Sequence, residues 1–145
     1  MKTAMLAWQF WAVLAAVFAA MTAIFAKIGI EGVNSDLATF IRTVVILLIV
    51  AAIVTVTNQW RGTSQIGGRT LLFLVLSGLA TGASWLCYFR ALQIGDAARV
   101  APVDKLSVVL VALFGTIFLG EELSRTNWAG VALIAAGTIL VALRL

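Results

Sequence analysis

Five apolar stretches alternate with short polar segments along the chain, at about 4–26, 37–56, 70–91, 101–119 and 127–143. A hydrocarbon layer about 30 Å thick takes about 20 helical residues at about 1.5 Å each. Each stretch is therefore expected to be one membrane-crossing helix. Met1-Lys2-Thr3 with Ala19-Ala20 or Met21-Thr22-Ala23 imitates a cleavable leader. However, the first run is about 23 residues long, against about 7–15 for a leader's apolar core. Trp8 and Trp11 near its start suit a membrane interface, so it is expected to be a retained helix closed by Lys27.

Polar punctuation supports the same division. In the connection from Gly29 to Asp36, residues Asn34, Ser35 and Asp36 are each able to cap the second helix. The longest loop, 57–69, carries Asn58, Gln59, Arg61 and four Gly or Ser positions, but no chemical motif. Gln93-Ile94-Gly95-Asp96 is a tight turn before the fourth helix, and Pro102 is expected in that helix's first turn, where no N–H is needed. Gly120 ends the fourth helix, and Glu121 and Glu122 precede the fifth.

Composition narrows the chemistry. Of 145 residues, 63% are hydrophobic and 11% charged, with mean hydropathy +1.11, far above the usage of water-soluble domains. Histidine is absent, which excludes imidazole metal sites and His-based proton transfer. The single cysteine, Cys87, leaves no intrachain disulfide or thiolate cluster; no metal, cofactor or catalytic residue is expected. The pI near 10 comes from singly scattered Lys and Arg rather than a basic run, so nucleic acid is not an expected partner.

Small residues are spaced for close helix contact. Gly78 and Gly82 form a GxxxG, Ala12, Ala16 and Ala20 lie four apart, and Gly130 and Gly137 share a face of the last helix. These faces serve packing within the chain or, on the last helix, pairing with a second copy.

Five crossings put Lys2, Arg61, Arg69 and Arg125 on one side, and Lys27, Arg90, Arg99 and Arg144 on the other. Orientation normally follows a Lys/Arg excess, and here four stand against four. Dual insertion with antiparallel pairing is expected. The alternative is a fixed orientation decided by Arg42 and Lys105, which lie inside spans.

Ionisable groups at membrane depth mark a pathway or a pairing site. Lys27, Arg42, Asp104 and Lys105 all lie towards one side and are expected to share a polar recess. The competing readings are that Lys27 and Lys105 snorkel and that Asp104 favours the start of the fourth helix. Arg42 cannot shed its proton and needs a partner: Asp104 first, Asp36 or Glu31 otherwise. Lys105 then remains as net positive charge, suited to an anionic or zwitterionic substrate. Trp85, Tyr88 and Gln9 offer walls and hydrogen bonds, against a plainer role in packing. The first helix has no acidic residue, which argues against a proton-coupled cation exporter.

Three pieces stand out: Tyr88-Phe89-Arg90-Ala91-Leu92 at the end of helix three, Pro102-Val103-Asp104-Lys105-Leu106-Ser107 in helix four, and Phe118-Leu119-Gly120-Glu121-Glu122-Leu123-Ser124 followed by Trp128, Gly130 and Ala136-Gly137. Their order and spacing resemble the EamA family of the drug/metabolite transporter superfamily. The resemblance covers essentially the whole chain as one domain, 1–145. It implies an all-α membrane fold and, since familiar members have ten helices in two inverted halves, an inverted homodimer of five-helix chains. The charged Asp104-Lys105 pair departs from the family pattern. The resulting expectation is a secondary transporter in the inner membrane, moving a small polar metabolite by alternating access. Arg42 and Lys105 would bind it, Asp104 act as counter-charge, and Trp85, Tyr88 and Gln9 surround it. The alternative is a non-transporting subunit that presents a lipid-linked intermediate to a partner.

Overall fold

A computed structural model describes residues 2–143, with the side chains of 2–7 and 63–65 outside that description. The expected contributions of the Lys2 side chain and of Arg144 lie outside the described residues. Among those described, all regular structure is helical. Helix α1 runs Lys2–Gly29, α2 Ser35–Val56, α3 Gly68–Ile94, α4 Ala97–Asp104, α5 Leu106–Phe118 and α6 Arg125–Ala142, and a short 3-10 helix, Gln59–Gln65, follows α2. With α4 and α5 taken together as Ala97–Phe118, five segments are long and apolar enough to cross a membrane.

The outward surface explains why such a chain needs lipid. Leu47, Leu48, Phe73 and Leu133 are all more than half exposed. Contiguous apolar surface on that scale is unfavourable in water and neutral against acyl chains.

Helix ends follow local chemistry. Asn34 is the cap of α2: its side-chain oxygen accepts from the N–H groups of Asp36 (2.8 Å) and Leu37 (3.3 Å). Ser124 caps α6, accepting from the Asn127 N–H at 3.2 Å. Gly120 takes φ +69° just after α5, a left-handed turn that favours glycine.

Two expectations are corrected. The fourth span is not one helix beginning near residue 101. It starts at Ala97, so Pro102 lies inside α4 rather than in a first turn, and Asp104 is the last residue of α4. Proline removes one donor from the helical ladder and crowds the carbonyl four residues before it. The chain then tightens around Lys105, whose N–H bonds back to the Pro102 carbonyl at 2.9 Å, while the Val108 N–H bonds to the Lys105 carbonyl at 3.0 Å. Both are three-residue steps, and the helix restarts at Leu106. Within their own units the glycine faces stay open. A Cβ placed at Gly78, Gly82, Gly130 or Gly137 would meet nothing within 4 Å among the described residues.

The helices divide into two compact units. One comprises residues 26–93; the other comprises residues 1–25 and 94–145. In the second unit, α4 and α5 both pack along α6, around the buried Gly115 and Thr138.

Candidate functional site

Within unit 26–93, two stripes are built from residues at i, i+4 and i+7, which share a helix face. On α2 they are Ser35, Thr39 and Arg42; on α3 they are Trp85, Phe89 and Leu92. Ser35, Thr39, Phe89 and Leu92 are buried, and Arg42 and Trp85 half-buried. The hydroxyls on α2 are satisfied locally: Thr39 Oγ1 donates to the Ser35 carbonyl at 2.8 Å and Thr43 Oγ1 to the Thr39 carbonyl at 2.7 Å. This leaves the stripe polar without orphaned groups.

Arg42 extends over the aromatic face of α3. Its guanidinium carbon lies 4.4 Å from the Trp85 ring centroid and 5.3 Å from that of Phe89. The aromatic quadrupoles stabilise the cation by about 2 kcal/mol where water is excluded. Tyr88, edge-on to Phe89 with centroids 6.4 Å apart, is within electrostatic reach of the same guanidinium. Within its own unit Arg42 meets π faces rather than the carboxylate of Asp36 or Glu31, the alternative partners; Asp104 belongs to the other unit.

Lys27 stands at the end of α1, and its Nζ donates to the Leu92 carbonyl at 2.8 Å. A cation here satisfies a carbonyl in the last turn of α3 and complements the negative end of its dipole. Beside it, Gln93 Nε2 donates to the Val33 carbonyl at 3.0 Å, tying the α1–α2 connection to the same helix end. Two cations thus engage α3 between Trp85 and Leu92. Lys27 acts on the backbone as a cap, whereas Arg42 presents its charge beside aromatic rings.

The remaining predicted residues lie in the other unit. Asp104 pairs with its neighbour Lys105, Oδ2 to Nζ 3.1 Å, at the interruption between α4 and α5. Gln9 is exposed on α1. The structure therefore brings Arg42, Trp85 and Tyr88 together, and separately Asp104 with Lys105. Sequence reasoning missed Phe89, although its i+4 spacing from Trp85 was a usable signal. It also missed the Glu121 carboxylate folding back onto Gly115, where a Cβ would lie 2.7 Å from Glu121 Oε2. Among the described residues, no group of three or more acidic or cysteine side chains is placed to hold a metal ion.

Comparison with known proteins gives these features a context. Residues 6–143 match the EamA-like transporter family. An "Uncharacterized transporter in cobO 3'region" from Sinorhizobium sp is 68% identical over 135 residues, covering 93% of this chain and 96% of that protein. The Protein RarD of Salmonella typhi is 26% identical over 91 residues, 61% of this chain and 31% of its own length. A "Probable 4-amino-4-deoxy-L-arabinose-phosphoundecaprenol flippase subunit ArnE" from Hamiltonella defensa is 25% identical over 85 residues, 59% of this chain and 75% of that protein. No solved structure matches.

Proposed function

Since the chain belongs to the EamA-like transporter family, we propose that it carries a small polar metabolite, anionic or zwitterionic, across a bacterial-type inner membrane by alternating access. It is a multi-pass membrane protein of transporter type; the substrate, the mechanism and the assembly are the proposal. The carrying observation is Arg42, a permanent cation inside a span, stacked on Trp85 and Phe89 and paired with no carboxylate of its own unit among the described residues. A charge held in this way keeps its field available to an incoming anion. Lys105, beside its counter-charge Asp104 where α4 gives way to α5, supplies a second polar position. Helix interruptions of this kind line substrate paths in secondary transporters.

The working assembly in this reading is two copies inserted in opposite orientations. Three observations support it: the even division of Lys and Arg between the two sides, the open faces at Gly78, Gly82, Gly130 and Gly137, and a relative matched over 96% of its length, which is thus also of five-helix size. Close backbone approach at such glycines is a common basis of helix association in lipid. Flux of labelled metabolites into reconstituted vesicles tests the function. Arg42→Ala and Lys105→Ala are expected to abolish it while leaving expression and dimerisation intact; unchanged flux in both removes these residues from the site.

A second reading is favoured by the relative described as a flippase subunit. Here the chain presents a lipid-linked intermediate to a partner and moves nothing alone. Purified chain that catalyses flux without any partner excludes it.

A further inference from the structure

The Arg42 guanidinium contacts Trp85 and Phe89 through its face, and a planar guanidinium carries its five N–H donors around its edge. Within unit 26–93 none of those donors makes a hydrogen bond, and among the described residues no buried side-chain nitrogen or oxygen lacks a partner, so on this unit the edge is open rather than sealed in. Arg42 lies about 10 Å along α2 from Ser35, within the apolar span Ser35–Val56. Lys27, the other cation engaging this part of α3, is directed to the Leu92 carbonyl. The aromatic rings thus hold the face of the guanidinium, and its fork of donors is left for a ligand.

We infer that the edge of Arg42 is a receptor for a bidentate oxyanion, two coplanar oxygens accepting parallel N–H bonds while Trp85 and Phe89 fix the plane. Such fork-to-fork pairs are short and charge-assisted, and a lysine cannot reproduce them. The oxyanion is carried by a small carboxylate solute or by the phosphate of a lipid headgroup. The inference deepens the transport reading by naming the chemistry at its site. Binding is also separable from flux: occupancy without transport would overturn the transport reading alone, and flux with an empty fork would overturn this one alone.

The test observes the guanidinium directly, by side-chain 1H–15N NMR of arginine-labelled protein in dodecyl maltoside micelles, which carry no phosphate. The Arg42 signals are identified by their loss in Arg42→Lys and, independently, by loss of the Trp85 ring-current shift in Trp85→Leu, so failure of one variant to fold leaves the assignment intact. Benzoate is expected to move the Arg42 N–H signals downfield saturably, and its uncharged isostere benzamide to leave them in place. The same shift on adding phosphatidylglycerol to the micelles, without solute, assigns the oxyanion to lipid. Arg42 signals unmoved by benzoate and by the added lipid overturn the proposal, as does an equal response to benzamide.

Discussion

The ammonium of Lys27 reaches the carbonyl of Leu92 at 2.8 Å and fastens the end of α1 to the last turn of α3. Leu92 is fully buried and Lys27 half-buried, so the bond forms where water competes weakly. Lys27→Met keeps the length of the side chain and deletes the donor. A charged hydrogen bond of this kind contributes about 1.5–3 kcal/mol. Thermal unfolding in detergent is expected to move down accordingly, with Lys27→Arg recovering much of the loss. An unchanged melting temperature in Lys27→Met would show that the contact is dispensable.

Gly115 and Glu121 form a second dependence, readable as a coupling. Alanine in a helix is ordinarily more stable than glycine by about 0.5–1 kcal/mol. At position 115 the new Cβ would lie 2.7 Å from Glu121 Oε2, the end of a flexible side chain that must move aside, so that gain is reduced. Gly115→Ala is expected to stabilise less alone than in a Glu121→Ala background. A double-mutant cycle on thermal stability measures the coupling; additive effects would mean that the two residues do not interact.

The interruption at Lys105 follows Pro102 by three residues, and Lys105 bonds back to its carbonyl. Pro102→Ala restores an N–H and relieves crowding inside α4, for a gain of about 1–3 kcal/mol. Backbone amide exchange around Lys105 is expected to slow as the helix runs through. Flux is expected to fall, because the interruption that presents Lys105 is lost. A variant that is both more stable and fully active would separate the interruption from transport.

Orientation is the most sensitive consequence of the charge balance. A C-terminal reporter is expected on both membrane faces in the wild-type protein. Adding Gln59→Lys and Ser64→Lys loads one side of the four-against-four count, so that side is retained in the cytoplasm. The reporter is then expected almost wholly on the opposite face, with flux reduced by loss of antiparallel partners. A wild-type signal on a single face would end the dual-insertion reading.

Much of the helical framework is legible in the sequence because a bilayer imposes a length and an apolarity on each span. That constraint says nothing about backbone inside a span. Hydropathy runs on through residues 101–119, which hid the break at Lys105; Pro102 was visible, but its position within the helix depended on a start at Ala97 that the tight turn at Gly95 and Asp96 obscured. Charge counting offers Arg42 only carboxylates, Asp104, Asp36 or Glu31, since it recognises only opposite charges as partners. It cannot register π faces, although Trp85 and Phe89 were spaced to present them together. For Lys27 the sequence leaves a polar recess and snorkelling both open and does not show its acceptor, a carbonyl on a helix distant in sequence.

Sequence alone determined the all-helical membrane class, the five spans, the family, and the absence of histidine or paired cysteine chemistry. These are properties of composition and linear period, set by the solvent around the chain. Tertiary structure decided which partner each buried cation takes: Trp85 and Phe89 for Arg42, the Leu92 carbonyl for Lys27. The physical reason is that a cation in a low-dielectric interior binds whatever electron-rich group packing brings within a few ångströms, and that proximity is fixed only when the helices meet.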